Sequence, residues 1–412
     1  MITISKPQLD PAVGECGGVS SFISDDSGKA IKVWYSVEKE YQQYLCSERA
    51  DAFLLLVLHI AMKTGQDIVV EAPVSAKLLF NIENTIQPLF VKAYKGVKHV
   101  GIHAEAVGRA DWNTTAVGCC CSLGVDSFSS FLKHMDENVV DGYRITHLTL
   151  FNCGQLGDTD LAGAEKNLRE TIANLKPFAD EVGLPLVSVN SNVNELYLKY
   201  DVTLLQSFVL RTASCALALQ KLFGKYVYSS SYSVSDFLMS SEDESHMEAA
   251  FAPLLGSENL EFILSNPAMT RVEKTEYLST YPITSRYLDV CWAAQWAYGF
   301  VNNQTVFEEK VNKNCGKCDK CLRTILTLDL LGRLSEFENL FDMDYYRRNK
   351  DKYIFKVIRL KNSNVFYREM SELIMEKNIP LSFRSRVFMY DTIINKIIRI
   401  PYNLLSVIRR KI

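Results

Sequence analysis

No stretch of the 412-residue chain is apolar for long enough to cross a bilayer. The longest apolar run, Ala52–Met62, falls well short of the roughly 20 residues that a membrane helix needs. The first residues, MITISKPQLDP, offer neither the basic stretch nor the apolar segment of a secretory leader, so the expected location is cytoplasmic. Net charge is also scarce: the formal balance is −3, which gives no global argument for nucleic acid as a partner. The eleven cysteines are clustered and follow no leader. That suits reduced thiols and metal ligation better than a disulfide framework. What remains is the composition of an ordinary globular protein, long enough for two or three domains. The charge is unevenly spread, with sixteen Lys and Arg against five Asp and Glu from Tyr345 onward.

The chain is organised around Thr114–Phe128, TTAVGCCCSLGVDSF. A small-residue apolar run turns through Ser122, Leu123, Gly124, Val125, Asp126 and Ser127, then continues with helical spacing. A strand, a tight hydroxyl-bearing loop and a helix make an anion site, because the amides of the first helical turn point at the anion and the helix dipole adds to them. Ser122 and Ser127 can donate hydroxyls, and Asp126 can hold a Mg²⁺ that accompanies phosphates. No Gly-Lys-Ser/Thr follows, so this is not a Walker A loop. The competing interpretation is an ordinary capped turn.

Around this stretch, residues 1–110 form a small α/β region, with strands at Lys29–Val37, Asp67–Ala72 and His99–Val107. Helices are expected at Ser47–Lys63 and at Val74–Ile86, the latter ending before Pro88. His59 and His103 are expected to be structural. Residues 111–330 are expected to form one domain, of which 111–290 alternate strand and helix. The strands fall at Thr115–Cys121, Thr146–Cys153, Leu184–Val189 and Lys225–Ser230, and the helices at Leu161–Lys176, ended by Pro177, and Leu204–Leu222. Such alternation implies a parallel sheet with right-handed crossovers. Ligands bind beyond the carboxyl ends of such strands, at the switch point. Cys119 and Cys121 share one strand face and are read as core.

Cys315, Cys318 and Cys321 have C-x-x-C-x-x-C spacing in NCGKCDKCLRT, and Cys291 is the best fourth ligand. A closed four-cysteine site suits structural zinc, and the same spacing also serves iron–sulfur clusters. After it, Ile325–Leu340 reads as a helix. Residues 331–412 form a basic helical tail, with amphipathic helices at Phe383–Ile400 and Tyr402–Ile412. This tail is expected to pack on the core, lie on a membrane surface, or dock on an acidic protein or RNA.

Ser122–Ser127 resembles the S-G-G-x-D-S loop of the PP-loop ATP pyrophosphatases, the adenine nucleotide alpha hydrolases. Leu123 stands where that family has its first glycine. Thr149–Gln155, TLFNCGQ, is similar to the F-D-Y-G-Q strand end of the 7-cyano-7-deazaguanine synthases within that superfamily. Gly154 and Gln155 match; Asn152 and Cys153 replace Asp and Tyr. Arg211-Thr212 resembles the family's R-N segment near the nucleotide, the alternative for Arg211 being a surface charge. Tyr228–Asp236 falls where the family has a substrate-lining loop. Thr270–Leu278 is similar to its T-K-x-E segment, with Lys274 as the basic residue. The cysteine motif resembles the same family, although here the interval after Cys291 is longer.

The resemblance implies a HUP, Rossmann-like sheet with a zinc knot at its C-terminal end. It implies ATP and Mg²⁺ at Ser122–Ser127, with Asn152, Gln155 and Arg211 beside the nucleotide and Asp126, Ser127 and Lys274 in the chemistry. It also implies adenylation of a substrate, most plausibly a small-molecule or protein carboxylate, with release of pyrophosphate and transfer to a nitrogen nucleophile. Ammonia would come from solution or from a partner, and a homodimer is compatible with the resemblance. The alternatives are a tRNA-modifying thiolase or ligase, for which no well-separated reactive cysteine pair is evident, and a non-catalytic nucleotide-binding or scaffold module.

Overall fold

The computed structural model describes residues 1–156, 161–291 and 314–381. Among them, residues 1–268 make one compact unit, and residues 269–291 with 314–381 make a second.

The first unit is built on one large mixed sheet. Its first four strands are β1 (Ile2–Ile4), β2 (Gln8–Val13), β3 (Cys16–Ser24) and β4 (Ala30–Glu38), followed by β5 (Ile68–Val70), β6 (Val74–Ser75), β7 (Ile102–His103) and β8 (Ala106–Val107). The nucleus follows as β9 (Ala116–Cys120), β10 (His147–Phe151), β11 (Leu186–Ser191), β12 (Phe223–Ser229) and β13 (Glu261–Ser265). The spatial order is β13-β12-β9-β10-β11-β4-β3-β1-β5-β7, with β2 on β3; β6 and β8 pair apart. All neighbours from β13 to β11 are parallel. In chain order these five strands read 3-2-1-4-5, so the winding reverses between β9 and β12. That is the switch point of a doubly wound sheet.

The helices of this unit are α1 (Asp51–Thr64), α2 (Ala76–Asn81), α3 (Gln87–Ala93), α4 (Val125–Met135), α5 (Leu161–Val182), α6 (Val193–Lys199), α7 (Phe208–Ala218) and α8 (Glu248–Phe251). α4 and α5 carry the first two crossovers and share a ring cluster: Phe178 lies 5.2 Å from Phe128 and 5.1 Å from Phe131. α7 carries the third crossover and packs on α1, whose residues Asp51–Met62 are all buried. Aromatic rings bridge the strands, with Phe151, Tyr226 and Phe262 stacked at 5.3 and 5.5 Å.

Several expectations need correcting. The N-terminal region is not a separate body, because β4 pairs antiparallel with β11 and the buried core runs from Ile2 to Phe262. The packing boundary falls after residue 268 rather than at 110 or 330. Pro177 lies inside α5 instead of ending it. The buried Phe178 holds the last turn in place against the lost hydrogen bond. The helix expected to stop before Pro88 instead passes through a π turn, Ile82–Ile86, into α3, with Pro88 just after the π turn. The strand expected over His99–Val107 is two short ones, and β13 went unread.

The second unit is helical: α9 (Arg271–Ser279), α10 (Thr284–Tyr287), α11 (Asp319–Leu330), α12 (Met343–Leu360) and α13 (Val365–Glu376). Asp319, at the start of α11, ties three of these helices together. It accepts from Tyr367 at 2.6 Å, Lys356 at 2.9 Å and Tyr353 at 3.3 Å. The helix expected over Ile325–Leu340 begins earlier and ends at Leu330, followed by two 3₁₀ turns. The end of the basic tail, residues 382–412, with the helices expected at Phe383–Ile400 and Tyr402–Ile412, lies outside the described residues. No described helix is long and apolar enough to cross a membrane.

Candidate nucleotide turn and metal centre

The turn Ser122–Ser127 leaves the carboxyl end of β9 and enters α4 at the switch point. Leu123 adopts φ 56, the left-handed region that normally demands glycine. The backbone therefore has the form that a glycine would supply, and the leucine side chain is buried beneath it, 2% exposed. Ser122 and Ser127 face each other across the turn, Oγ to Oγ 3.0 Å, and Ser127 Oγ donates to the Gly124 carbonyl at 3.2 Å. Gly124 takes the N-cap place of α4, and no side chain caps the helix. First-turn amides without a side-chain acceptor suit an anion. Asp126, in the first turn, is half-buried.

The neighbouring strand end is built from intramolecular bonds. Asn152, buried, donates to Asn190 Oδ1 at 2.8 Å, and its carbonyl accepts from Ser191 Oγ at 2.6 Å. Gln155 turns back on β10: its Oε1 accepts from the Cys153 amide at 3.0 Å, and its Nε2 donates to the Phe151 carbonyl. Arg211 is not the surface charge considered as its alternative. It is 1% exposed, because α7 packs it into the core. Its guanidinium lies 3.9 Å over the Tyr197 ring and donates to Ser207 Oγ, Asn194 Oδ1 and the Cys153 carbonyl. Gly154 makes room for it: a Cβ there would lie 2.4 Å from Arg211 Nη1, and φ is 112. Arg211 thus shapes the strand end from beneath.

Two carboxylates that the sequence reading missed hold the surrounding segments. Glu244 accepts from the Val209 and Leu210 amides at the start of α7. Burial pushes its carboxyl up to about 8, against the lowering effect of those amides. Glu248, also buried, accepts from the Ser231 and Tyr232 amides and so fixes the segment after β12. Nothing in the polar run SSEDESHME distinguishes these from solvated charges. Among the strand-end thiols, burial raises Cys119 well above the usual range and Cys120 to about 12.

In the second unit, Lys274 is buried on α9. The cysteines converge there: the Sγ atoms of Cys291, Cys315, Cys318 and Cys321 all lie within 4.8 Å of one another, and Cys315 to Cys321 is 3.9 Å. Four sulfurs about 2.3 Å from one tetrahedral ion sit roughly 3.8 Å apart, so the group can hold a metal. Amides already point at the sulfurs. Cys318 N donates to Cys315 Sγ at 3.3 Å, Cys321 N to Cys318 Sγ at 3.5 Å, and Cys315 N to Cys291 Sγ at 3.4 Å. Bonds from the other three thiols hold Cys318 well below the usual thiol range. Buried Asn314 joins the two halves of the motif, accepting from Val290 N at 2.7 Å and donating to the Leu288 carbonyl at 3.0 Å. Gly316, at φ 66, has no room for a side chain, since a Cβ would lie 1.9 Å from the Asp342 carbonyl oxygen.

No family model, no curated protein and no solved structure matches this chain.

Proposed function

We propose that the first unit binds ATP with Mg²⁺ at Ser122–Ser127 and that the protein is an adenylating enzyme resembling the PP-loop superfamily. The observation that carries this reading is Leu123. A leucine held in the left-handed region, at the position where the family's loop has glycine, means that this chain keeps the loop's backbone despite the steric cost. The strand order 3-2-1-4-5 puts that turn where doubly wound sheets bind nucleotides. The α4 amides would take the β- and γ-phosphates, Ser122 and Ser127 would donate to them, and Asp126 would hold the Mg²⁺. A carboxylate substrate would attack the α-phosphorus, and the amides would stabilise the charge that develops on the departing pyrophosphate. A nitrogen nucleophile would then displace AMP. Asn152, Gln155 and Arg211 would shape the nucleotide's flank; Lys274 enters on resemblance alone. The high thiol pKa values of Cys119 and Cys120 leave a sulfur-transfer reaction without a ready thiolate there. In the second unit the four-cysteine group would hold a structural zinc, closed to substrate.

Isothermal titration with a non-hydrolysable ATP analogue and Mg²⁺ tests this. Micromolar binding by the wild type, reduced at least about tenfold in Asp126→Ala and in Ser127→Ala, is the expected result. A folded wild type that binds nothing would remove the enzyme reading and leave a scaffold.

A further inference from the structure

A cavity of about 460 Å³ opens at the amino ends of β12 and β13, the opposite end of the strands from the Ser122–Ser127 turn. Its volume lies in the range, roughly 300–1,000 Å³, of small-molecule sites. Lys77, Arg109 and Lys225 line it together with Glu258, Glu261 and Phe262. The two carboxylates already have partners. Glu258 accepts from the Lys77 amide at 2.7 Å and pairs with Arg49 at 3.6 Å; Glu261 accepts from the Tyr143 hydroxyl at 3.4 Å. Two of the cations have no oxygen partner among the described residues. Lys225 rests over the Tyr143 ring at 4.7 Å, and neither it nor Arg109 makes a side-chain ion pair or hydrogen bond among the described residues.

Arg109 is also held in place. Asn259 grips both sides of the next residue, accepting from Ala110 N at 2.9 Å and donating to the Ala110 carbonyl at 2.7 Å. Buried Arg49 donates to the Gly108 carbonyl and stacks 5.0 Å from the Trp112 ring. The backbone on each side of Arg109 is therefore fixed before any ligand arrives, which lowers the cost of binding.

We propose that this cavity is a second ligand site and takes a small oxyanion, a phosphate or carboxylate group on a small molecule. Arg109 would fork onto two of its oxygens and Lys225 would add a point charge. The site is independent of the nucleotide reading. Its test is titration of the full chain with inorganic phosphate and, separately, with citrate at constant ionic strength, so that the tighter probe identifies the group. The variants are R109A, K225Q and D126A. Arg109 is exposed, so R109A leaves the core intact. The expected result is binding of one probe that weakens about tenfold or more in R109A and in K225Q and is unaffected by D126A. Failure of both probes to bind, or binding that R109A and K225Q leave unchanged, overturns the proposal.

Discussion

Leu123 shows how one residue can report the backbone that it opposes. At φ 56 a Cβ costs about 1–2 kcal/mol. The turn keeps that conformation because the side chain is buried below it. Leu123→Ala would lose the packing and retain the strain, whereas Leu123→Gly would lose the packing and relieve the strain. The glycine variant is therefore expected to be more stable than the alanine variant by about 1 kcal/mol, the reverse of the order at ordinary positions. Urea unfolding of the two variants measures this, and alanine proving the more stable would mean that the turn is not held left-handed. Arg211 makes the complementary point. Its type and place in an apolar helix were legible, but its burial was not, since it depends on Gly154 after β10 and on Asn194 and Tyr197 of α6.

At the scale of elements, four of the five parallel strands were readable because each is a short apolar run bounded by a turn, and the main crossover helices because their apolar spacing persists. Proline misled twice: buried Phe178 outweighs the bond lost at Pro177, and at Pro88 the helix continues through a π turn rather than stopping. The start of α7 depends on a residue far from it in sequence. Glu244 caps it with a carboxyl raised from 4.5 to about 8, and its Oε2 is buried without a hydrogen-bond partner among the described residues. In the folded chain that group keeps its proton to higher pH than in the unfolded one. Its contribution to stability is therefore fully present below about 4.5 and is lost as pH rises through about 8. Glu244→Gln keeps an acceptor for Val209 and Leu210 and removes the titration. The variant is expected to match the wild type near pH 4.5 and to exceed it at pH 8 by on the order of a few kcal/mol. Equal pH slopes in urea unfolding of the two proteins would refute this.

For the whole molecule, the division after residue 268 places the turn and the four-cysteine group in different compact units. If the cysteines hold zinc, its binding energy, about 10–16 kcal/mol in small zinc modules, stabilises the second unit. Removing the metal with a strong chelator is expected to abolish hydrogen-exchange protection in α11 while β9, β10 and β12 keep theirs. Protection unchanged in α11, or lost equally in both units, would count against the assignment. Legible in the sequence was what covalent spacing sets: the C-x-x-C-x-x-C turn, the strand–turn–helix at Ser122–Ser127, and the order of the four parallel strands from Thr115 to Ser230. These are local patterns, set by neighbours within a few residues. Only the folded chain showed that β4 would extend the sheet from β11, that Arg211 would lie in the core, and that Glu244 would cap a helix that precedes it. Each of these depends on which surfaces fill one another's volume and which polar groups lose their water, and no short stretch of sequence contains both sides of such a contact.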